Sequence, residues 1–223
     1  MLHIGEKLRT ARLQQNMSLR ELAEKAEVSA SLLSQIENGK ANPSVRSIYS
    51  IAAALSLPTT YFFPDGQDGN ESPDETLETS QMTPSAVRAM QTEGLIESSD
   101  LFPDQPQRSH GPVVCRSGRA RIELMGGVTW ERLTPGPEEN VEFMEICYEV
   151  GASSGAKMSR HSGREFGLIL EGELTLELGF ESYVMHAGDS ITLDSTIPHR
   201  MVNTGTVPVR AVWVVLDRGQ LGF

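Results

Sequence analysis

The stretch that decides the fold is Val28-Ser29-Ala30-Ser31-Leu32-Leu33-Ser34-Gln35-Ile36-Glu37-Asn38-Gly39. Coiled as a helix it has two unlike faces. Leu32, Leu33 and Ile36 make an apolar stripe. Ala30, Ser31, Ser34, Gln35 and Asn38 fall on the other side, where an ordinary solvated helix carries Lys and Glu. A face that is short, polar and nearly uncharged can lie close against another surface, and the edge of a base pair is one such surface. Ser29 stands where an N-cap belongs, and Gly39 supplies the left-handed residue that ends helices.

Working outward, Ser18-Leu19-Arg20-Glu21 is a capping box and predicts a helix over about residues 19–26. Ile4, Leu8 and Ala11 form the stripe of a first helix. Ser44 opens a fourth, with Ile48, Ile51, Ala52 and Leu55 inward, and Pro58 opens a short fifth ending near Phe62 and Phe63. Arg12 and Glu37 read as an ion pair between the first and third helices. Two helices joined by a tight turn, the second presenting a polar face, make a helix-turn-helix.

These residues carry a resemblance. LRELAEKAEVSASLLSQIENGKANPS resembles the Xre and phage-repressor type of helix-turn-helix, and the likeness covers residues 4–63. It implies that Ser29, Ala30, Ser31, Ser34 and Gln35 enter the major groove. It also makes Asn38, Lys40, Ser44 and Arg46 candidates for phosphate contacts. One departure is Leu19, where the family often has a Gln that supports a phosphate or base contact.

The charge is split along the chain. The total is −11, but residues 1–63 net +2 and the remainder −13. Such asymmetry suggests two modules with different partners. Residues 64–107 hold ten acidic residues and one basic residue, Arg88, with few large apolar side chains. That composition predicts a flexible acidic linker. The longest apolar run, residues 211–216, is far too short to span a membrane, and the N-terminus lacks the apolar core of a signal peptide. Two cysteines outside any CxxC pattern fit a reduced, cytoplasmic protein.

Beyond residue 113 the pattern becomes short alternating runs with Gly- and Pro-rich turns. Strands are expected from Val113–Arg116 onward, forming a barrel or jelly roll over 108–223. Inside it lie His161-Ser-Gly-Arg-Glu165 and Pro198-His199. Two His and one carboxylate directed into one interior form a facial triad suited to a divalent ion such as zinc, iron, manganese or nickel. The segments Gly155–Gly172 and Gly188–Asn203 resemble the two motifs of the cupin fold. That resemblance implies the ligands His161, Glu165 and His199, with Ser159 where a fourth belongs. The alternative is an organic-effector pocket that has lost its metal. Tyr148, Met201 and Trp213 are candidate pocket liners, and Trp130 and Met144 read as core.

The expected architecture is therefore an α + β multidomain chain: a five-helix bundle over 1–63, an acidic linker over 64–107, and a cupin barrel over 108–223. The combination is similar to bacterial regulators that join this DNA reader to a cupin sensor. That similarity implies a repressor of a palindromic operator, a small-molecule or metal effector, and dimerisation through the cupin. A mononuclear non-haem iron oxygenase of the phosphonate epoxidase type is the competing expectation. Its ligands correspond to the same three residues, and such enzymes also carry a helix-turn-helix-like domain.

Overall fold

The computed structural model describes residues 2–64 and 111–216. The acidic linker lies outside these residues except for Pro64. Four α-helices come first: α1 (Leu2–Gln14), α2 (Leu19–Lys25), α3 (Ala30–Glu37) and α4 (Val45–Ala54). The expected fifth helix is instead a single 3-10 turn, Thr59–Phe62. The reason is its length. Phe63 is already extended (φ −67°, ψ 148°), so only four residues remain between it and the extended Pro58, too few to propagate an α-helix. Phe62 and Phe63 are both buried against the bundle.

The helix starts follow the capping residues. Ser18 accepts from the Glu21 backbone while Glu21 accepts from the Ser18 backbone, closing a full capping box. Ser29 accepts from the Leu32 N–H at 3.1 Å, and Ser44 accepts from the Ser47 N–H at 3.1 Å. Gly39 ends α3 with φ +65°. Helices α1 and α3 approach so closely that a Cβ on Gly5 would collide with the Ile36 carbonyl. Arg12 ties the same pair together. Its guanidinium donates to both Glu37 carboxylate oxygens, at 2.6 and 2.9 Å, and to the Met17 carbonyl at 2.8 Å. The expected ion pair is therefore present, and it is almost fully buried.

Among the described residues nine strands follow: β1 (Arg121–Leu124), β2 (Val128–Arg132), β3 (Val141–Tyr148), β4 (Arg164–Glu171), β5 (Glu173–Leu178), β6 (Glu181–His186), β7 (Ser190–Asp194), β8 (His199–Val202) and β9 (Val209–Leu216). Val113–Arg116 is not a strand, and Arg116–Gly118 is a 3-10 turn. The strands do not close into one barrel. They form a six-stranded antiparallel sheet, β1-β2-β3-β9-β4-β7, and a three-stranded sheet, β6-β5-β8. Alternating runs report which face is buried, not whether the last strand pairs with the first.

The helical unit packs directly on the larger sheet. The Met125 N–H donates to the Pro43 carbonyl at 2.8 Å, and the Arg46 N–H donates to the Ser154 carbonyl at 3.3 Å. The Arg132 guanidinium lies over the Phe63 ring, 5.7 Å from its centroid. These contacts put the middle of α4 over the mouth of the β-domain.

Candidate nucleic-acid interface and metal centre

The polar face of α3 is open. Ser29, Ser31, Gln35, Asn38 and Lys40 are exposed and Ala30 and Ser34 half-buried, while Leu33 and Ile36 are buried on the opposite side. Docking against the β-domain uses α4, so it leaves this face clear. Asn38 is already engaged: its amide donates to the Ser34 carbonyl at 2.7 Å and so finishes the helix.

Two of the expected phosphate contacts are placed elsewhere. Ser44 is buried, with its hydroxyl at the cap of α4 and 2.9 Å from the Ser47 hydroxyl. That oxygen accepts the Ser47 N–H at the start of α4. Arg46 is half-buried and lines a cleft between the helical unit and the β-domain. The phase of α4 is set by the burial of Val45, Ile48 and Ile51, and this turns Arg46 toward the sheet.

In the β-domain His161, Glu165 and His199 converge, their ligand atoms all within 4.8 Å of one another. Two pieces of chain, one carrying His161 and Glu165 and the other His199, bring them together. His161 lies just before β4, and its N–H donates to the Ser195 carbonyl at 3.0 Å. Gly163, with φ +107°, makes the tight turn that lets Glu165 enter the same interior. His199 begins β8 in the smaller sheet, where its N–H donates to the Ser159 carbonyl at 2.8 Å and its carbonyl accepts from the Ser159 N–H at 2.9 Å. The site thus joins both sheets.

Each imidazole is oriented by its Nδ1. His161 Nδ1 lies 3.0 Å from the Ser162 carbonyl, and His199 Nδ1 lies 2.9 Å from the Ile197 carbonyl. Those bonds direct both Nε2 atoms at a single carboxylate oxygen, Glu165 Oε1, at 3.0 and 3.3 Å. Metal-binding imidazoles are oriented by their other nitrogen in the same manner. Glu165 Oε1 is fully buried and has no hydrogen bond of acceptable geometry despite the His161 distance. The other oxygen, Oε2, accepts from the Trp213 indole at 2.6 Å. Gly167 makes room for that indole, since a Cβ there would overlap the Trp213 ring.

An orphaned buried carboxylate oxygen facing two imidazole nitrogens fits a bound cation, so His161, Glu165 and His199 are the residues to hold one. Burial opposes charge on His161, but the Glu165 carboxylate outweighs it and raises the His161 pKa. Burial likewise opposes charge on Glu165, and His161 outweighs it and lowers the Glu165 pKa. Ser159 lines the same small cavity, at the place where a fourth ligand was expected.

Tyr148, Met201 and Trp213 do line this interior, with Trp130, Met144 and Ile146. The cavity they leave is about 20 Å³. Residues beyond the expected set complete the site. Tyr49 of α4 stacks on His161 with centroids 4.1 Å apart and planes 7° apart, and it meets Trp130 edge-on at 5.7 Å. The Tyr49 hydroxyl donates to Glu142 at 3.2 Å, and the Thr59 hydroxyl donates to the same carboxylate. Burial raises the Glu142 pKa. Sequence held two signals for this contact: an aromatic ring off the inward stripe of α4, and an acid on the face of β3 shared with Met144 and Ile146.

Comparison with known proteins agrees with both halves. Residues 8–62 match the Helix-turn-helix family (HTH_3), and residues 144–215 match the Cupin domain family (Cupin_2). The HTH-type transcriptional regulator PuuR of Escherichia coli strain K12 is 26% identical over 201 residues, covering 90% of this chain and 87% of its own. The chain is a helix-turn-helix regulator with a cupin domain. The reader half of this regulator is also 44% identical over 55 residues to the Transcriptional regulator ClgR of Mycobacterium tuberculosis, covering 25% of this chain and 49% of that one. An HTH_3 family transcriptional regulator from Vibrio cholerae superposes on the regulator with a TM-score of 0.57 at 18% identity, covering 96% and 95% of the two chains, which is likeness of fold. Hydroxypropylphosphonic acid epoxidase from S. wedmorenis reaches a TM-score of 0.42 at 16% identity, with 96% and 97% covered, too low for its chemistry to be carried across. Among the described residues of the regulator no helix is long and apolar enough to cross a membrane.

Proposed function

We propose that this regulator is a cytoplasmic repressor that binds a palindromic operator as a dimer and responds to a ligand at its cupin domain, with a reader ending near residue 63 and a sensor beginning near residue 108. The observation that carries the reading is the capped α3 with an exposed, uncharged polar face that remains clear while the helical unit is docked. Ser29, Ala30, Ser31, Ser34 and Gln35 are the proposed groove residues, with Asn38 and Lys40 toward phosphates. Repression is the simpler output, since an occupied operator alone obstructs transcription.

One small reader binds DNA weakly, and pairing places two copies about one helical turn apart. The outward face of the six-stranded sheet supplies a surface for pairing. Phe143, Val214 and Phe166 are register neighbours across β3, β9 and β4, and Leu168 lies opposite Val212. Phe143 and Leu168 are exposed. A contiguous apolar patch of this kind marks an interaction site.

His161, Glu165 and His199 are proposed to hold one divalent ion, which when bound supplies a fixed positive charge between the two sheets. The iron oxygenase reading draws on the same triad. It is disfavoured because the cavity that all three residues line is about 20 Å³, room for a water or an ion, and Tyr49 stacks between it and the larger space outside. Hence the protein is read as a non-enzyme. The primary test mixes the protein with sheared genomic DNA of its host at moderate salt and recovers bound fragments. A small set of enriched fragments sharing an inverted repeat is expected, and the absence of any enrichment would overturn the reading. Elemental analysis of protein purified without chelators is expected to give up to one ion per chain, lost in His161→Ala and His199→Ala. Oxygen uptake with ferrous iron that vanished in Glu165→Ala would instead establish the enzyme.

A further inference from the structure

The space beside the triad, about 20 Å³, has room for a water or an ion. A metabolite needs more, and the larger space lies on the other side of Tyr49. It is a cleft of about 860 Å³ between α4 and the rim of the β-domain at residues 158–162. This is within the range of small-molecule sites, which favour boundaries between domains. Tyr49, stacked on His161, forms the partition, since both residues line the cleft and the interior cavity alike.

The charges around the cleft are unequally engaged. Arg46 lines it from the helical unit and Arg160 from the β-domain. Among the described residues neither guanidinium has an ion-pair partner, whereas Arg200 and Arg210 in the same β-domain are both paired with Glu side chains. Arg160 is exposed, in the irregular segment between Ser159 and β4, and its place on that rim is what delivers it to the cleft. Of the two acids that line the cleft, Glu142 is occupied by the Tyr49 and Thr59 hydroxyls, and Glu27 is exposed on the rim.

We propose that this cleft is the effector site, and that it takes a small organic anion bearing carboxylates or a phosphate, held between Arg46 of the reader and Arg160 of the cupin. A guanidinium presents a planar fork that matches either oxyanion. A ligand gripped from both sides favours the docked arrangement over separated domains by its differential affinity for the two. The proposal deepens the reading of a ligand-responsive regulator and rests on that reading for its purpose, though not for the binding itself.

The experiment uses the full chain without DNA. Succinate, inorganic phosphate and a diamine of succinate's length are each titrated by calorimetry at fixed ionic strength. Saturable binding of succinate or phosphate is expected, weakened roughly ten-fold or more in Arg160→Gln and in Arg46→Gln. Arg160→Lys is expected to retain part of the affinity. Arg160 is exposed, so its variants keep the fold, and a thermal melt checks this for Arg46→Gln. Absence of saturable anion binding, affinity unchanged in Arg160→Gln, or preference for the diamine would each overturn the proposal. Because no operator is present, failure of the genomic-DNA experiment would overturn the regulator reading and leave this result standing.

Discussion

At the scale of single residues, Arg12 and Glu37 set the angle at which the recognition helix is presented. The pair is bidentate and its side chains are only 9% and 6% exposed. Removing one partner strands the other charge away from water, so Glu37→Ala is expected to cost about 3 kcal/mol, as a lower urea midpoint for the helical unit. A loss within a few tenths of a kcal/mol would show that the pair is not fixing the bundle. The pair was legible in the sequence because each residue lies in the last turn of a helix marked by a clear apolar stripe. Tyr49 and Glu142 were not. Each is intelligible only as one half of a contact between segments 93 residues apart, and neither alone breaks a local pattern strongly enough to announce a partner. The same holds for Ser44. As a polar residue beside a reader helix it suggests a phosphate contact, yet it is consumed by the cap of α4.

At the scale of elements, α3 was the most legible part of the chain. Ser29 and Gly39 mark its ends and the apolar stripe marks its inward face, all local signals. The strands were legible as strands for the same reason, through alternation. Their order was not, since β9 lies between β3 and β4 by pairings that no turn residue encodes. The triad His161, Glu165 and His199 was legible because its spacing follows a known motif. The absence of room beside it was not, because cavity volume depends on how Trp213 and Tyr148 fill the interior. The reader helix makes a paired prediction. Gln35→Ala is expected to weaken the specific operator by about 1–3 kcal/mol while hardly altering bulk DNA binding. Lys40→Ala is expected to weaken both, and to lower the slope of log affinity against log salt by about one. Filter binding over a salt series separates the two, and equal effects on both DNAs for Gln35→Ala would remove it from the groove.

At the scale of the whole molecule, two surfaces can be tested: the outer sheet proposed for pairing, and the docked boundary. Leu168→Glu places a charge in the middle of the outer patch. It is expected to shift sedimentation from dimer to monomer and to weaken operator binding. An unchanged sedimentation profile would move the dimer surface elsewhere. The docked boundary carries a pH dependence. Burial holds the Glu142 carboxyl above its ordinary pKa, with Tyr49 and Thr59 hydroxyls partly opposing this, and Tyr49 and His161 are the titratable groups facing it. A raised pKa means that docking takes up a proton. Its contribution is fully present below the pKa of the free carboxyl and is lost as pH rises through the raised value. Small-angle scattering is expected to show the domains parting more readily as pH increases, and Glu142→Gln is expected to abolish the trend.

The Tyr49 ring over His161 also bears on time. An ion held at the triad as proposed would meet the Tyr49 ring on the α4 side, so its escape along that side would wait on movement of α4. Under a large excess of chelator the rate of ion loss would therefore reach a ceiling set by domain opening. Tyr49→Ala would raise that ceiling without changing the ligands.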